Sequence, residues 1–525
     1  MLTLQEESLN WALNHALNVG DTDVFPAPFE YHALEQDWDA VRSELQQQDI
    51  IRWPTRPSRS LLSPKSKYGF RVITQLDPLD FVIYSALIKE IAQDLEARRI
   101  SVENARVFSY RVDLNQDGQL FSPEVGYRQY LEECYRKIVN NTEINVVATT
   151  DISDFYSRIY HHRLENALRS ATDKSSHISA LMHLLSGWNG TESFGIPVGS
   201  APSRILAEIA LSDVDEALLA NGVDFVRFND DYRIFAQNHT QAYQHIAFLA
   251  EVLFRNHGLS LQPQKTSIYS TDNFTTTFLT TPLDREIDSL HSRFEALLEK
   301  LGIDSWYEPI EYDDLSREQQ EIIDALNLSQ LFRDELQKSE PDFPVIKFSL
   351  RRLGQLGDDS IADDIFDNLD SLIPAFVDVV NYFSKLRHLN DNARSVIGGK
   401  LLDLLDNSMV SELVYHRMWI MDLFTKSREW DNETRFFELY NRESQQACKR
   451  KLILAMGRAQ IRYWFQSQWR SLFEHPHWSR RALIAAASCM PADARKHWYR
   501  SVEPQLDLLE RAVMRWAKQN PFDGQ

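Results

Sequence analysis

Hydrophobic and polar positions follow two different periods along this chain, and the change of period divides it into two parts. In the first part, short branched runs typical of strands, such as INVVATTD (144–151), stand beside helical spacing such as VIYSALIKEIAQDLEARR (82–99). The runs DFVRF and YRIFA flank Asp230 and Asp231 and predict a β-hairpin with the two acids at its apex. After Thr281 the strand signals fade, and amphipathic helical segments recur about 30 to 40 residues apart.

This change of pattern predicts an α+β domain over residues 1–285 and an all-α, HEAT-like helical-repeat domain over residues 286–525. The amino terminus carries acids where a secretory signal carries basic residues, and apolar runs of ~18 residues are absent from the sequence. Its three cysteines are widely separated, which fits neither a disulfide framework nor a metal knuckle. We therefore expect a cytoplasmic protein that does not enter the membrane.

Charge is sorted along the chain despite the formal net charge of -20. Residues 51–71 contain six Lys and Arg and no acid, and residues 441–500 contain twelve Lys and Arg against three acids. Clustered cations mark candidate sites for anionic ligands, although a solvated helix face is the alternative for both segments.

The tract RYWFQSQWRSLFEHPHWSRR (462–481) combines cations with aromatic rings. Cations contact a nucleic-acid backbone and rings stack on bases, so this tract is a candidate single-strand binding site. Its candidate nucleic-acid-binding residues are Arg462, Trp464, Trp469, Arg470 and Trp478. The alternative is that these helical rings belong to the core.

Three carboxylates are expected at strand ends, because Asp151 closes INVVATTD and Asp230 and Asp231 lie at the hairpin apex. Two unit charges ~4 Å apart repel by about 4 kcal/mol at an effective dielectric of ~20. A pair of divalent metal ions would relieve this repulsion and is the arrangement that promotes nucleotidyl transfer. An Asp-Asp turn without a ligand is the alternative.

Five segments occur in the order and spacing of reverse transcriptase motifs. They are SPKSKYGFRVITQLDPLDFVIYSAL (63–87), TTDISDFYSRIYHHRL (149–164), FGIPVGSAPSRILAEIAL (194–211), FNDDY (228–232) and GLSLQPQKTSIY (258–269). Residues 50–270 therefore resemble the fingers and palm of the reverse transcriptase family. The resemblance implies a DNA polymerase, that is, a nucleotidyltransferase, with reverse-transcriptase-like fingers and palm ahead of the helical domain.

The same resemblance implies roles for individual residues. The catalytic carboxylates Asp151, Asp230 and Asp231 would hold two Mg²⁺ ions, or Mn²⁺ as an alternative, and the backbone carbonyl of Ile152 would complete the coordination. The implied contacts to a deoxynucleoside triphosphate come from Lys65, Lys67, Arg71, Phe155, Tyr156, Gly199 and Lys265. The ring of Tyr156 would exclude a ribose 2′-hydroxyl, with Phe155 as the alternative. Lys265 is either a general acid for pyrophosphate or a partner in a surface salt bridge.

One branch of the family is more similar than the others. The loop GIPVG, the motif SDFYSRIYHH and the long helical tail resemble the abortive-infection (Abi) reverse transcriptases of the prophage-encoded polymerase type and, more distantly, AbiK. That resemblance implies template-independent synthesis primed by a tyrosine of the chain itself, a covalently attached single-stranded DNA product, a homo-oligomer and a role in antiphage defence. Val198 stands where templated members carry Gln, which puts template reading in doubt.

Two other functions and one residue assignment remain open. The alternatives are a templated RNA-directed DNA polymerase and a catalytically idle scaffold that binds a partner through its helical domain. Our candidate for the priming tyrosine is Tyr31, because the Pro-rich segment FPAPFEYHALE is expected to be mobile.

A calcium-loop pattern stands apart from these motifs. DLNQDGQLFSPE (113–124) fits the EF-hand template at Asp113, Asn115, Asp117, Gly118 and Glu124. The preceding RVFSYRV has strand character, and Pro123 interrupts the helix that an EF-hand needs next. We favour an Asp-Gly turn over a calcium site.

Overall fold

A computed structural model describes residues 1–279, 327–339, 341–386, 389–406, 408–430 and 433–522, together with positions 317 and 320. The chain forms two compact units, Met1–Ser60 with Ile73–Thr281 and Leu61–Val72 with Pro282–Gln525. The predicted boundary after residue 285 lies outside the described residues, and the structure divides the chain after Thr281. It also assigns Leu61–Val72 to the second unit, whereas the sequence pattern placed this segment in the first domain.

The first unit combines a small sheet with many helices. Its strands are β3 (Val146–Asp151), β4 (Asp224–Phe228), β5 (Asp231–Ala236) and β6 (Ser267–Ser270). Its helices are α1 (Glu6–Asn18), α2 (Glu30–Gln36), α3 (Trp38–Leu45), α4 (Pro78–Arg98), α5 (Tyr127–Asn140), α6 (Phe155–Arg158), α7 (His161–Ala171), α8 (Ser175–Asn189), α9 (Ala201–Ala210), α10 (Ser212–Ala220), α11 (His239–Val252) and α12 (Thr271–Phe274). The α+β character predicted for this part of the chain is therefore present.

The four strands form an antiparallel sheet in the order β4-β5-β3-β6. Every residue of β3 is buried, which explains why its sequence reads as an almost continuous branched run. Tyr130 and Cys134 from α5 and Phe274 from α12 pack with Val147 and Phe235 of the sheet in one hydrophobic core. Central burial fixes the register of β3, and the register decides which side chains meet at its ends.

A two-stranded hairpin precedes α4 in sequence and is formed by β1 (Arg59–Pro64) and β2 (Phe70–Gln75). Its turn is closed by the backbone N–H of Lys65, which donates to the carbonyl of Gly69 at 2.7 Å. Within the second unit, Ser63 and Arg71 of the hairpin act on Tyr415, the former by a hydrogen bond and the latter through its charge.

The second unit is mostly helical. Its described helices are α13 (Leu328–Leu336), α14 (Phe343–Leu356), α15 (Ala362–Asp367), α16 (Phe376–Lys385), α17 (Asp391–Asp403), α18 (Val414–Lys426), α19 (Glu433–Arg442), α20 (Gln446–Arg458), α21 (Arg462–Gln468), α22 (His477–Ala486), α23 (Ala492–Val502) and α24 (Leu508–Gln519). From α14 onward every second helix packs on the next, in the order α14, α16, α18, α20, α22 and α24. Across the described parts of both units, no helix has the length and apolarity that crossing a bilayer requires.

Candidate active site

The three predicted carboxylates lie at one end of the four-stranded sheet. β3 ends at Asp151 and β5 begins at Asp231, and these two residues are directly opposite each other in the antiparallel register. Asp230 occupies the turn that joins β4 to β5, and its carbonyl accepts a hydrogen bond from the N–H of Ile152 at 3.1 Å. The sheet register therefore gathers Asp151, Asp230 and Asp231, which are far apart in sequence.

A buried arginine holds the turn that carries Asp230. Arg227, on β4, donates to both carboxylate oxygens of Asp215 at 2.9 and 2.5 Å and to the carbonyl of Asn229 at 2.8 Å. Its guanidinium also lies 3.1 Å from Glu208. Burial opposes the charge on Arg227, but the two carboxylates hold its pKa well above the usual value. The turn is thus fixed to α9 and α10 by a fully buried ionic network.

Two further residues complete this network. Arg99 donates to Glu208 at 2.6 Å, and the hydroxyl of Ser109 donates to the same carboxylate at 2.5 Å and accepts from the N–H of Asn229 at 2.8 Å. Asn229 has φ +56°, a left-handed conformation that Asn tolerates better than most residues. We did not predict these roles from the sequence. The available signal was the charge at Arg227 inside the apolar strand DFVRF.

Asp151 and Asp231 have cationic partners. Lys265 pairs with Asp151, and Arg233 pairs with Asp231. Burial raises the pKa of Asp231, while Arg233 acts in the opposite direction. Among the described residues these carboxylate oxygens do not all lie within 4.8 Å of one another, so the predicted convergence is looser than expected. Asp230 accepts a hydrogen bond from the side-chain amide of Asn229 at 2.9 Å.

The donor set at this end of the sheet fits divalent metal ions. Hard cations such as Mg²⁺ and Mn²⁺ prefer carboxylate and carbonyl oxygens, which are the donors that Asp151, Asp230, Asp231 and the backbone of Ile152 carry. Lys265 occupies one oxygen of Asp151, so the ion pair must open before both oxygens of Asp151 are available to metal ions. The salt bridge predicted as one alternative for Lys265 is therefore present, and its partner is a candidate ligand.

The residue predicted to face the sugar lies beside the turn. The hydroxyl of Tyr156 donates to Asn229 at 3.2 Å, and burial raises its pKa well above the usual value. Phe155 is 2% exposed and packs in the core, with its ring 5.6 Å from that of Tyr156. The alternative that Phe155 faces the sugar is therefore wrong, because its ring is not accessible to a nucleotide.

The GIPVG loop approaches the same region through its backbone. The N–H of Ile196 donates to the carbonyl of Tyr156 at 3.0 Å, and the carbonyl of Val198 accepts from the N–H of Thr74 at 3.0 Å. Gly199 has φ +112°, and a Cβ there would lie 3.1 Å from Val24. The loop requires glycine at this position, whether or not a nucleotide contacts it.

The three cations predicted to clamp the triphosphate are exposed on the β1–β2 hairpin. Lys65 and Lys67 lie in or beside its turn, and Arg71 lies on β2. All three belong to the segment assigned to the second unit. Their role toward a triphosphate stays a prediction.

The predicted stacking surface in residues 462–481 is not formed as expected. Trp464 and Trp478 are 4% and 6% exposed, and the guanidinium of Arg481 lies 4.6 Å from the ring centre of Trp478. Trp469 stacks on Trp498 with ring centres 5.7 Å apart. The prediction that Trp464 and Trp478 stack on bases is therefore wrong, since both rings fill the core between helices. Arg462 and Arg470 are exposed.

The candidate priming residue Tyr31 is buried. It lies on α2, is 2% exposed and packs edge-on against Phe81 with ring centres 6.2 Å apart. Burial raises the pKa of its hydroxyl well above the usual value, with Asp21 and Asp77 adding to the shift. The premise of a mobile segment is wrong, because the helix packs this side chain into the first unit.

The calcium-loop pattern forms a turn, as we favoured. The carbonyls of the loop are occupied by side chains of α1, which donate in the pairs Trp11 to Asn115 at 2.8 Å, Asn18 to Asp117 at 2.9 Å and His15 to Gly118 at 2.6 Å. The side chain of Asn115 accepts from the N–H groups of Asp117 and Gln119. The carbonyls bonded to α1 attach the turn to this helix. Two of the oxygens that an EF-hand would direct at calcium are used within the turn itself: the side-chain oxygen of Asn115, and the carbonyl of Gln119, which accepts from the N–H of Asn115 at 3.2 Å.

An antiparallel sheet with carboxylates at the hairpin apex and at the end of the adjacent strand is the arrangement that the sequence motifs predicted for a polymerase palm. Residues 64–312 match the family described as reverse transcriptase (RNA-dependent DNA polymerase). This part of the chain is therefore similar to a reverse transcriptase domain. Polymerases of this family generally use divalent metal ions. None of the curated proteins compared matches the chain.

Solved telomerase structures show weak similarity. Apo telomerase from Candida tropicalis truncated from its C-terminal domain is 12% identical, with a TM-score of 0.33 over 48% of this chain and 57% of that chain. Apo telomerase from the same organism is 12% identical, with a TM-score of 0.34 over 74% of this chain and 73% of that chain. Telomerase from Candida albicans in complex with a fragment of telomeric RNA is 12% identical, with a TM-score of 0.32 over 80% of this chain and 73% of that chain. The chain spans 57% of the length of the first of these structures.

Proposed function

We propose that this chain is a template-independent DNA polymerase of the abortive-infection type, primed by one of its own tyrosines and active in antiphage defence. The observation that carries the polymerase reaction is the pairing of Asp151 with Asp231 across the strands, with Asp230 in the adjoining turn. The resemblance of GIPVG and SDFYSRIYHH to the Abi branch supports the finer assignment. Substrates are deoxynucleoside triphosphates and the product is single-stranded DNA attached to the protein, which acts as a homo-oligomer.

The site residues divide the work of nucleotidyl transfer. Asp151, Asp230 and Asp231 would hold two Mg²⁺ ions, which would supply activation of the attacking hydroxyl and stabilisation of the leaving oxygen. The network around Arg227 keeps the turn rigid, so that the carboxylates do not have to be ordered when a nucleotide arrives. Lys265, once released from Asp151, would supply a proton to the departing pyrophosphate.

Selection for deoxynucleotides is assigned to Tyr156. The tip of its ring is held by the hydrogen bond from its hydroxyl to Asn229, and its main chain is held by the bond from the N–H of Ile196 to its backbone carbonyl. A tyrosine anchored at both points resists displacement by a 2′-hydroxyl. We expect Tyr156→Ala to incorporate ribonucleotides more readily than the wild type.

Template independence is supported by Val198. Its apolar side chain cannot make the hydrogen bonds of the Gln that templated relatives carry, and its backbone carbonyl is used by Thr74. The primer would be a tyrosine that is accessible, unlike Tyr31. The exposed tyrosines among the described residues are Tyr68, Tyr127, Tyr135, Tyr160, Tyr243 and Tyr463.

We also propose that the second unit is a HEAT-like repeat. Stacking of every second helix from α14 to α24 supports this assignment, because solenoid repeats contact their sequence neighbours in this way.

The test is incorporation of labelled deoxynucleotides by purified protein that has been treated with nuclease. With Mg²⁺ and no added nucleic acid, we expect a product that migrates with the protein and shifts after protease digestion. Loss of activity after nuclease treatment would favour the templated RNA-directed alternative. Full antiphage protection by Asp230→Ala in cells would favour the scaffold alternative instead.

A further inference from the structure

A cavity of about 430 Å³ lies in the second unit between α23 and α24. It is lined by Ala492, Arg495, Lys496, Tyr499, Arg500, Glu503 and Lys518. Four of these side chains are cationic and one is a carboxylate. The volume falls within the range of about 300 to 1,000 Å³ that is usual for ligand sites.

The cations of this cavity lack ion-pair partners among the described residues of the second unit. In the part of the second unit that the structure describes, Arg495, Lys496, Arg500 and Lys518 have no carboxylate within 4.0 Å. Nearby cations differ in this respect, since Arg480 on α22 lies 3.1 Å from Glu510. An anionic ligand would supply the missing countercharge.

The like charges on α23 repel each other in the free protein, and an anionic ligand would relieve this repulsion. Lys496 and Arg500 are four residues apart on α23, so their like charges repel by about 0.2 to 0.5 kcal/mol in the free protein. A cation in the last turn, such as Arg500, interacts favourably with the helix dipole, but Lys496 lies outside that turn. Helix stability alone therefore does not explain the pair.

The walls of the cavity are held in place. One nitrogen of Arg495 donates to the carbonyl of Ser488 at 2.6 Å, which leaves the rest of its planar fork for a ligand. Tyr499 is 1% exposed, and its hydroxyl donates to the carbonyl of Ile484 at 2.8 Å. The ammonium of Lys518 lies 5.8 Å from the ring centre of Tyr499. Cations attached to a fixed wall lose little entropy when a ligand binds.

We propose that this cavity binds closely spaced phosphate groups. Arginine forks and lysine ammonium groups are the donors that phosphates use, and a buried Tyr499 offers no face for a base to stack on. Recognition is therefore of phosphate and independent of sequence. The ligand is either the backbone of single-stranded DNA or a free polyphosphate, and the DNA source rests on the proposed function.

Binding can be measured without polymerisation. We would titrate full-length protein into a fluorescein-labelled single-stranded oligodeoxythymidylate in the absence of deoxynucleotides, at several salt concentrations, and measure tripolyphosphate binding by calorimetry. The test variant is Lys496→Gln with Arg500→Gln. The matched control is Arg128→Gln with Arg255→Gln, which removes the same charge from exposed pairs in the first unit. Thermal unfolding of each variant shows whether the fold is intact.

For the DNA source we expect oligonucleotide affinity at least about tenfold weaker in the test variant than in the control, because two charged hydrogen bonds are lost. The slope of log affinity against log salt should also become shallower by about 1.4, at ~0.7 per phosphate contact. Loss of tripolyphosphate binding alone would identify a free polyphosphate as the ligand. Equal binding of both probes by the test and control variants would overturn the proposal. Because no nucleotide is incorporated, this result does not depend on whether the chain is a polymerase.

Discussion

Two acidic turns in the first unit contain similar residues and use their oxygens in opposite ways. In the turn FNDDY (228–232), the buried Arg227 donates to the backbone carbonyl of Asn229, and the carboxylates lie at the end of the sheet. In the turn DLNQDG (113–118), side chains of α1 donate hydrogen bonds to the backbone carbonyls. These bonds attach the turn to α1. The second turn matches its motif more completely, yet only the first is arranged for metal ions.

The comparison shows that whether a sequence motif forms a ligand site depends on which hydrogen bonds its oxygen atoms already make within the protein. Asp230 accepts a hydrogen bond from the side-chain amide of Asn229, and Asp231 pairs with Arg233. In the calcium-loop pattern, the Asn115 side chain and the Gln119 carbonyl accept hydrogen bonds within the turn, and other carbonyls of the turn attach it to α1.

The largest loss of stability should come from replacing Arg227, which supports the turn FNDDY. Arg227→Met leaves Asp215 buried without its cation and leaves Glu208 with Arg99 alone, which costs about 3 to 5 kcal/mol. Urea denaturation would measure this loss. The control is Arg128→Met, whose exposed pair with Glu132 contributes about 0 to 1 kcal/mol. Equal losses for the two variants would show that the buried network does not stabilise the turn.

The second turn should be most sensitive at its glycine. Gly118 has φ +91°, and a Cβ there would lie 2.4 Å from the backbone nitrogen of His15. We expect Gly118→Ala to lower the free energy of unfolding by about 2 to 3 kcal/mol. Gly222→Ala is the control, because Gly222 also has a positive φ of +68° but nothing within 4 Å of the added carbon. If both variants lose the same stability, close packing against α1 is not the cause.

The second turn should also make stability depend on pH through His15. Burial lowers the pKa of His15 from 6.5 to about 4 in the folded protein. A depressed folded pKa means that this contribution is present above pH 6.5 and is lost as pH falls toward 4. Between pH 7 and pH 5 the loss should be about 2 kcal/mol.

The measurement is urea denaturation of the wild type and His15→Gln at both pH values. Asp21 and Asp80 have pKa values raised to about 6 by burial and shift stability in the opposite direction, so the difference between the two proteins is the informative quantity. A difference that does not change with pH would contradict the role of His15.

Calcium should have the smallest effect. We expect no calcium-dependent rise in the melting temperature, because the carbonyl of Gln119 and the side-chain oxygen of Asn115 already accept hydrogen bonds from backbone N–H groups of the turn. Calorimetric titration of the wild type and Asp117→Ala would check this directly. Tight binding by the wild type alone would restore the calcium site.

The positions of the candidate catalytic carboxylates could be predicted because they depend on local patterns. Short runs of aromatic and branched residues flank Asp230 and Asp231 and indicate strands, and the motif order places Asp151 on a neighbouring strand. The ionic network could not be predicted, since Arg227, Asp215, Glu208 and Arg99 meet only after helices from distant parts of the sequence pack together.

Burial of individual aromatic side chains was the other property that could not be predicted from the sequence. In helices that stack on both sides, aromatic residues have the same spacing whether they face the core or solvent, so Trp464 and Trp478 resembled a binding surface. Tyr31 follows a Pro-rich stretch that suggested mobility, yet it lies one residue inside α2 and packs on Phe81. Local composition does not report such tertiary contacts.

Intact-protein mass spectrometry tests the central proposal most directly. Nuclease-treated protein would be incubated with Mg²⁺ and one deoxynucleoside triphosphate, alongside Asp151→Asn and the matched acid-to-amide variant Asp117→Asn in the second turn. Our account predicts that the wild type and Asp117→Asn gain mass in steps of one deoxynucleotide, and that Asp151→Asn gains none. An unchanged mass for the wild type, or an equal gain for Asp151→Asn, would contradict it.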